Sequence, residues 1–249
     1  MTRIRNIAIE ATAPNSFTIP DYATISRTAT NQSPPAQNEL ARDNTDHSKQ
    51  LATSNPQLLD WQIVFGNRHP VEIEVGFGKG LFLLTESERF PERNYFGIEI
   101  EKKYQLLAAF RLAQAGRKNV QVTCGDAKLI LANHIPPTSV SVIHLYYPDP
   151  WWKQRHHKRR VFTKEFAQIC AKILVPNGEF KIVTDVKDYY QMVLKIMQQL
   201  PIYRALPLPE IQNPQHDMDY LTHFERKFSK EKREIFRGCF QKIGLSKSE

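Results

Sequence analysis

From about residue 71 onward, short apolar runs of strand character alternate with segments of helical period. That alternation limits the possible fold more than any other feature of the chain. "PVEIEVGFG" reads as a short buried strand ending in glycines, and "LFLLTESERF" carries apolar spacing that fits a helix. "NYFGIEI" is a second strand, and "KKYQLLAAFRLAQAG" a strongly amphipathic helix with Gly116 as its C-terminal signal. "NVQVTCGDA" and "SVSVIHLYYPDP" are the third and fourth strands. "TKEFAQICAKIL" is a helix with Thr163 as N-cap, "PNG" turns the chain into the strand "EFKIVTD", and "KDYYQMVLKIMQQL" is a further helix. Strands joined through helices require right-handed crossovers, hence an α/β fold with a mostly parallel sheet and helices on both faces. Near the end, "LTHFERKF" and "REIFRGCFQKI" read as two more strands, an antiparallel pair.

The alternation occupies only part of the 249 residues. Residues 1–50 are rich in Thr, Asn, Ser and Pro and hold no sustained period, so they read as a disordered or loosely ordered extension. Residues 51–249 read as one domain, opened by the apolar cluster "LLDWQIVFG" and long enough to bury a sizeable core. The formal net charge is +8, a balance that favours a polyanionic partner; a generally basic surface that aids solubility is the plainer alternative, and net charge alone does not separate the two. Cys124, Cys170 and Cys239 are widely spaced and form no C-x-x-C pair, which argues against a disulfide framework and a zinc site and fits a reducing, cytoplasmic setting. No apolar run is long enough to span a bilayer, and "MTRIRNIAIEATAPNSF" lacks the apolar core of a secretory signal. Neither a membrane nor an obligatory protein partner is expected.

In a parallel sheet of this kind, ligands bind outside the carboxyl ends of the strands. Four successive strands each deliver an acid to that rim: Glu74, Glu99, Asp126 and Asp149. Glu74 stands two residues ahead of a G-x-G-x-G turn formed by Gly76, Gly78 and Gly80. Dinucleotide sites instead carry G-x-G-x-x-G, because a pyrophosphate needs an unopposed helix N-terminus. An acid just upstream suits a ligand with a positive end, such as the amino acid portion of S-adenosylmethionine. A carboxylate at Glu99 suits two ribose hydroxyls, and Asp126 is placed for an adenine amino group. Each acid taken alone is as well explained as an N-cap of the next helix, and a single glycine turn as a tight strand-to-helix connection. Their joint order is what points to a site.

The stretch "YYPDPWWKQRHHKRR" sets Asp149, between two prolines, against Lys153, Arg155, Lys158, Arg159 and Arg160. Like charges packed this densely repel unless they meet a polyanion, so the five cations are candidate phosphate contacts; a solvated charged loop is the plainer alternative. Core filling accounts for Tyr146 and Trp151, while Tyr147 and Trp152 stay open between packing and stacking on a base. The adjacent His156 and His157 lack a ligand-spaced partner, so no metal site is read from them.

The pieces "EVGFGKG", "FGIEI", "CGDA", "PDPWWKQRHHKRR", "IVTD" and "THFE" occur in an order that resembles the bacterial tRNA (guanine-N7-)-methyltransferases, the TrmB family, over roughly Trp61 to the C-terminus. The resemblance implies a Rossmann-like class I methyltransferase fold. It implies an enzyme that moves a methyl group from S-adenosylmethionine to N7 of guanosine 46 in the tRNA variable loop, leaving S-adenosylhomocysteine and using no metal. Glu74, Glu99, Asp126 and Asp149 match the family's S-adenosylmethionine-site acids, and Asp149 also matches its catalytic acid. Lys153, Asp185 and the stretch Thr222, His223, Phe224 and Glu225 match its substrate contacts. Two departures stand out: Trp152 replaces a usual proline, and "ERKF" holds no glycine where the family often has one. A NAD-dependent oxidoreductase is disfavoured by the glycine spacing and by Glu74. A non-catalytic RNA-binding protein on the same fold is disfavoured by the four rim carboxylates, which an inert binder of an anion has little use for.

Overall fold

The computed structural model describes residues 15–17, 57–208 and 222–244. A short helix, α1 (Trp61–Phe65), is N-capped by Asp60 and stopped by Gly66 in the left-handed conformation. The alternation then follows: β1 (Val71–Val75), α2 (Leu81–Arg89), β2 (Asn94–Glu99), α3 (Lys102–Gln114), β3 (Val120–Cys124), α4 (Ala127–Asn133) and β4 (Val140–Tyr146). A 3-10 helix (Gln154–Arg159) leads into α5 (Lys164–Ile173), β5 (Leu174–Thr184), α6 (Lys187–Gln198) and β6 (Tyr203–Ala205), and the chain closes with α7 (His223–Lys230) and β7 (Phe236–Lys242). Thr163 caps α5 by accepting from the Phe166 amide.

The seven strands lie in the order β3-β2-β1-β4-β5-β7-β6. The first five are mutually parallel, and β7 runs antiparallel to β5 and β6. The strand order reverses between β1 and β4, so the crevice for a ligand is expected at their carboxyl ends.

One expectation is overturned. "LTHFERKF" is a helix, α7, not a strand, and the antiparallel partner of β7 at the sheet edge is the short β6. The sequence carries the reason: Thr222 followed three residues later by Glu225 is a capping-box pattern, and Thr222 Oγ1 accepts from the Glu225 amide at 3.0 Å. The missing glycine in "ERKF" fits as well, since that stretch is mid-helix, where glycine costs about 1 kcal/mol relative to alanine. The "PNG" turn lies within β5, with Asn177 at φ 63°.

Of the N-terminal extension, Asn15–Phe17 pack on the sheet. Asn15 is buried and donates to the carbonyls of Arg117 and Val120, and Ser16 bridges to Val122 in parallel on the open edge of β3. The Phe17 ring packs edge-on against Phe96. The remaining calls on residues 1–50 lie outside the described residues.

The two faces of the sheet are filled differently. Ile73, Phe96, Ile143, Leu145, Phe180 and Ile182 project to one side and join α4, α5 and α6 in a wholly apolar core. The opposite side holds Phe82, Leu83, Ala108 and Leu112, but also the buried Glu72, Glu74, His144 and Tyr146. Among the described residues no helix is long and apolar enough to cross a membrane.

Candidate active site

The turn after β1 is built by glycines. Gly76, Gly78 and Gly80 all sit at positive φ, from 53° to 76°, a region in which side chains are strained. Gly80 opens α2 and has a second constraint: a Cβ there would lie 2.8 Å from the Ala108 Cβ on α3. Glu99 fastens this turn to the end of β2, accepting from the Gly78 amide at 2.8 Å and the Glu101 amide at 3.0 Å. Each carboxylate oxygen keeps a further lone pair, so Glu99 can hold the loop and still accept from a ligand hydroxyl.

Above the turn lies a cleft with about 780 Å³ of empty space, part of it open to solvent. Glu74, Gly76, Gly78, Thr222 and Phe224 line it together. The late segment therefore folds back over the rim of a strand formed some 150 residues earlier, which the sequence left open. Phe77, Lys79, Leu81, Phe82, Tyr104 and Lys227 also line the cleft without having been singled out in the sequence, and Tyr146, read there as core filling, lines it as well. Phe77 and Lys79 had a signal, since they interleave the glycines. Lys227 is reached only because α7 crosses the mouth.

Glu74 dominates the electrostatics. It is 2% exposed, and its Oε2 has no hydrogen-bond partner. Burial, reinforced by the charge of Glu99, pushes its carboxyl well above the ordinary carboxylate range. A buried, unpartnered carboxylate oxygen among aromatic rings is complementary to a cationic donor. The ammonium and sulfonium of S-adenosylmethionine fit that requirement, and Lys79 and Lys227 stand at the same cleft for a ligand carboxylate.

Behind Tyr146 runs a buried polar chain. Arg93 donates to Glu72 Oε1 at 2.9 Å, Glu72 Oε2 lies 2.7 Å from His144 Nε2, and His144 Nδ1 lies 2.8 Å from the Tyr146 hydroxyl. Burial pushes Glu72 up, but the hydrogen bond from His144 and the Arg93 guanidinium outweigh it and hold the carboxyl below its usual range. Burial also holds His144 below the usual imidazole range, hence neutral. An ionised carboxylate only accepts, so Nε2 carries the proton and Nδ1 accepts from Tyr146. The tyrosine hydroxyl is thereby tied inward, and its ring is what the cleft meets.

The other candidates are distributed around the rim. Asp126 N-caps α4 by accepting from the Lys128 amide. Asp149 is exposed between its two prolines and does not line the cleft. The loop around it turns through Tyr147 and Trp151, both at positive φ, 49° and 47°. The Tyr147 ring packs against Phe224 and Phe228, anchoring α7 from below. Asp185 pairs with Arg233 at 2.8 Å, and the buried Glu225 pairs with Arg237, so both acids also fasten the C-terminal segment to the rim. The His223 side chain lies outside the described residues.

Of the five cations after Asp149, Lys153, Arg155, Lys158 and Arg159 are exposed. Arg160 instead clamps the loop, donating from Nε to the Pro150 carbonyl at 2.8 Å with its guanidinium over the Tyr189 ring. Among the described residues, no group of three or more His, Cys, Asp or Glu could hold a metal ion.

Known proteins share this architecture. The 16S rRNA methyltransferase KamB superposes with a TM-score of 0.56 at 12% identity, over 74% of this chain and 93% of its own. A structure described as an antibiotic-related methyltransferase gives 0.52 at 16% identity, over 73% and 92%. At such identities the likeness concerns the fold alone. In sequence, residues 68–238 match the Methyltransf_4 methyltransferase family model. A tRNA (guanine-N(7)-)-methyltransferase of Rhodopirellula baltica is 42% identical over 193 residues, 75% of this chain and 71% of the relative. One of the same description from Vibrio vulnificus is 40% identical over 68% of this chain and 71% of its own. The family model and these relatives cover most of the chain, and the chain belongs to the tRNA (guanine-N7-)-methyltransferase family, the TrmB family.

Proposed function

We propose that this chain methylates guanine N7 in tRNA, at position 46 of the variable loop, with S-adenosylmethionine as donor. The observation that carries the reading is the unpartnered, buried Glu74 carboxylate at the β1/β4 switch point, within a cleft roofed by Thr222 and Phe224. Glu74, Glu99 and Asp126, with the turn of Gly76, Gly78 and Gly80, hold the donor, and Asp149, outside that cleft, meets the guanine. Lys153, Asp185 and Thr222 to Glu225 hold the guanosine, and Arg155, Lys158 and Arg159 meet tRNA phosphates. Arg160 keeps the loop in shape.

When bound, S-adenosylmethionine supplies an electrophilic methyl group on a sulfonium. Guanine N7 is an unprotonated acceptor on the Hoogsteen edge, so the reaction removes no proton from it and needs no strong base. What the chain contributes is position. Asp149 accepts from guanine N–H groups and favours the positive charge that develops on the purine. Its flanking prolines fix its backbone for that role.

The test is to incubate the protein with methyl-labelled S-adenosylmethionine and bulk tRNA and digest to nucleosides. Label in 7-methylguanosine, absent when position 46 is changed from guanosine, is the expected result. Absence of transfer, with tRNA still bound, leaves a non-catalytic RNA binder.

A further inference from the structure

The Trp152 indole is 71% exposed, at the junction between Asp149 and the cationic 3-10 helix. The backbone on either side of it is held. Before it, the Pro150 carbonyl is clamped by Arg160 Nε at 2.8 Å. After it, the Lys153 carbonyl accepts from the His156 amide at 2.7 Å. Next to it, the Trp151 ring is gripped between the His156 ring at 5.7 Å and the Arg159 guanidinium at 5.0 Å. Trp151 sits at φ 47°, a strained backbone that directs one tryptophan into the loop and leaves its neighbour in solvent. Lys153, Arg155 and Lys158, which follow it within six residues, are exposed, and no acid is paired to them among the described residues.

A large aromatic surface on a fixed loop, followed by exposed cations without acidic partners, suits a partner with both flat apolar faces and regularly spaced negative charges. An unpaired stretch of RNA has both. A folded protein offers the charge without the stacked faces, and a bilayer surface offers no reason for a single rigid indole beside a carboxylate. Trp152 lies three residues from Asp149, a reach of at most about 11 Å, so the base it meets neighbours the one at the active site.

We propose that Trp152 is a stacking platform for an unpaired RNA base adjacent to the methylated guanosine. This deepens the proposed function and rests on RNA being the substrate. The indole adds affinity without neutralising a phosphate, and so separates from the cations in its salt dependence.

The experiment compares the full-length wild type with Trp152→Ala, Trp152→Phe and Arg155→Ala, titrated with tRNA at several salt concentrations. Trp152→Ala is expected to weaken binding on the order of 10-fold while leaving the slope of log K against log salt unchanged, and Trp152→Phe to recover most of the loss. Arg155→Ala is expected to reduce that slope by about 1. With 2-aminopurine in the unpaired loop beside the target, its quenching on binding is expected for wild type and not for Trp152→Ala. Unchanged affinity in Trp152→Ala overturns the proposal. So does an equal loss on a fully paired hairpin, a loss that phenylalanine does not rescue, or a loss of binding to anionic vesicles instead of RNA. These arms read binding alone, so they are independent of methyl transfer: a wild type that transfers no methyl defeats the functional reading, and a Trp152→Ala variant that binds normally defeats only this one.

Discussion

The two faces of the sheet solve different problems with the same strands. On β1, Ile73 points into an apolar core shared with α5 and α6, while the residues on either side of it, Glu72 and Glu74, are buried on the opposite face. On β4, Ile143 and Leu145 join the first core, and His144 and Tyr146 join the acids. The apolar face gains from every group removed from water, at about 25 cal/mol per Å². The other face accepts the cost of buried polar groups, and offsets it only where they find partners. Glu72 has His144 and Arg93, whereas one oxygen of Glu74, a residue that lines the cleft, has none. The two carboxylates, two residues apart on one strand, thus differ in how fully they are satisfied.

The largest effects are expected from Asp149→Ala at the exposed rim and Phe166→Ala in the apolar core. Asp149→Ala is expected to lower single-turnover methyl transfer by about 1000-fold with tRNA affinity nearly intact, and near-normal turnover would remove the residue from the chemistry. Phe166→Ala, in the apolar core, is expected to cost about 3–5 kcal/mol in denaturant unfolding while the surviving folded enzyme keeps its KM values.

The next effect concerns Glu74. Its carboxyl is held well above the usual range, and a bound cation favours the ionised form, so donor binding should release a proton. S-adenosylmethionine affinity is then expected to strengthen as pH rises. Calorimetric binding enthalpy should also shift with the ionisation enthalpy of the buffer. An affinity that does not change with pH, together with a buffer-independent enthalpy, would place the cationic end of the donor elsewhere.

A smaller effect tests the satisfied acid. His144 is held below its usual range in the fold, so on acidification the unfolded chain takes up its proton first, near pH 6.5. Glu72, also held low, loses its contribution as pH falls further. Both act in the same direction: stability is present above these values and lost as pH drops. His144→Gln is expected to flatten the part of the thermal-melting profile nearest pH 6.5. An unchanged profile would mean that another group governs acid sensitivity. The smallest change is Thr222→Val, which removes the cap of α7 and should cost about 1 kcal/mol or less, seen as a few-fold rise in KM for the donor or the tRNA with kcat preserved.

Much of this architecture is legible along the chain because its causes are local. The period of "KKYQLLAAFRLAQ", the Thr163 cap and the three glycines after Glu74 each specify their own stretch of backbone within a few residues. The same local chemistry specifies α7, because "THFE" is a capping box and Phe224 and Phe228 stand four residues apart, on one face of a helix. β6, at three residues, is too short for any period to register. Of the candidate site, the rim acids follow from strand order, and the basic run from charge alone.

The pairings across the sheet lie beyond such reading. Glu72 and His144 are 72 residues apart, Asp185 and Arg233 are 48 apart, and Asn15 reaches Val120 across 105. Nothing in the local pattern says which buried acid will find a partner, because that depends on which side chains the packed sheet and its covering helices bring within 3 Å. Local propensity thus set the elements and their order. Packing decided that Glu72 is paired on both oxygens while one oxygen of the cleft-lining Glu74 is not, and that α7 reaches the same cleft.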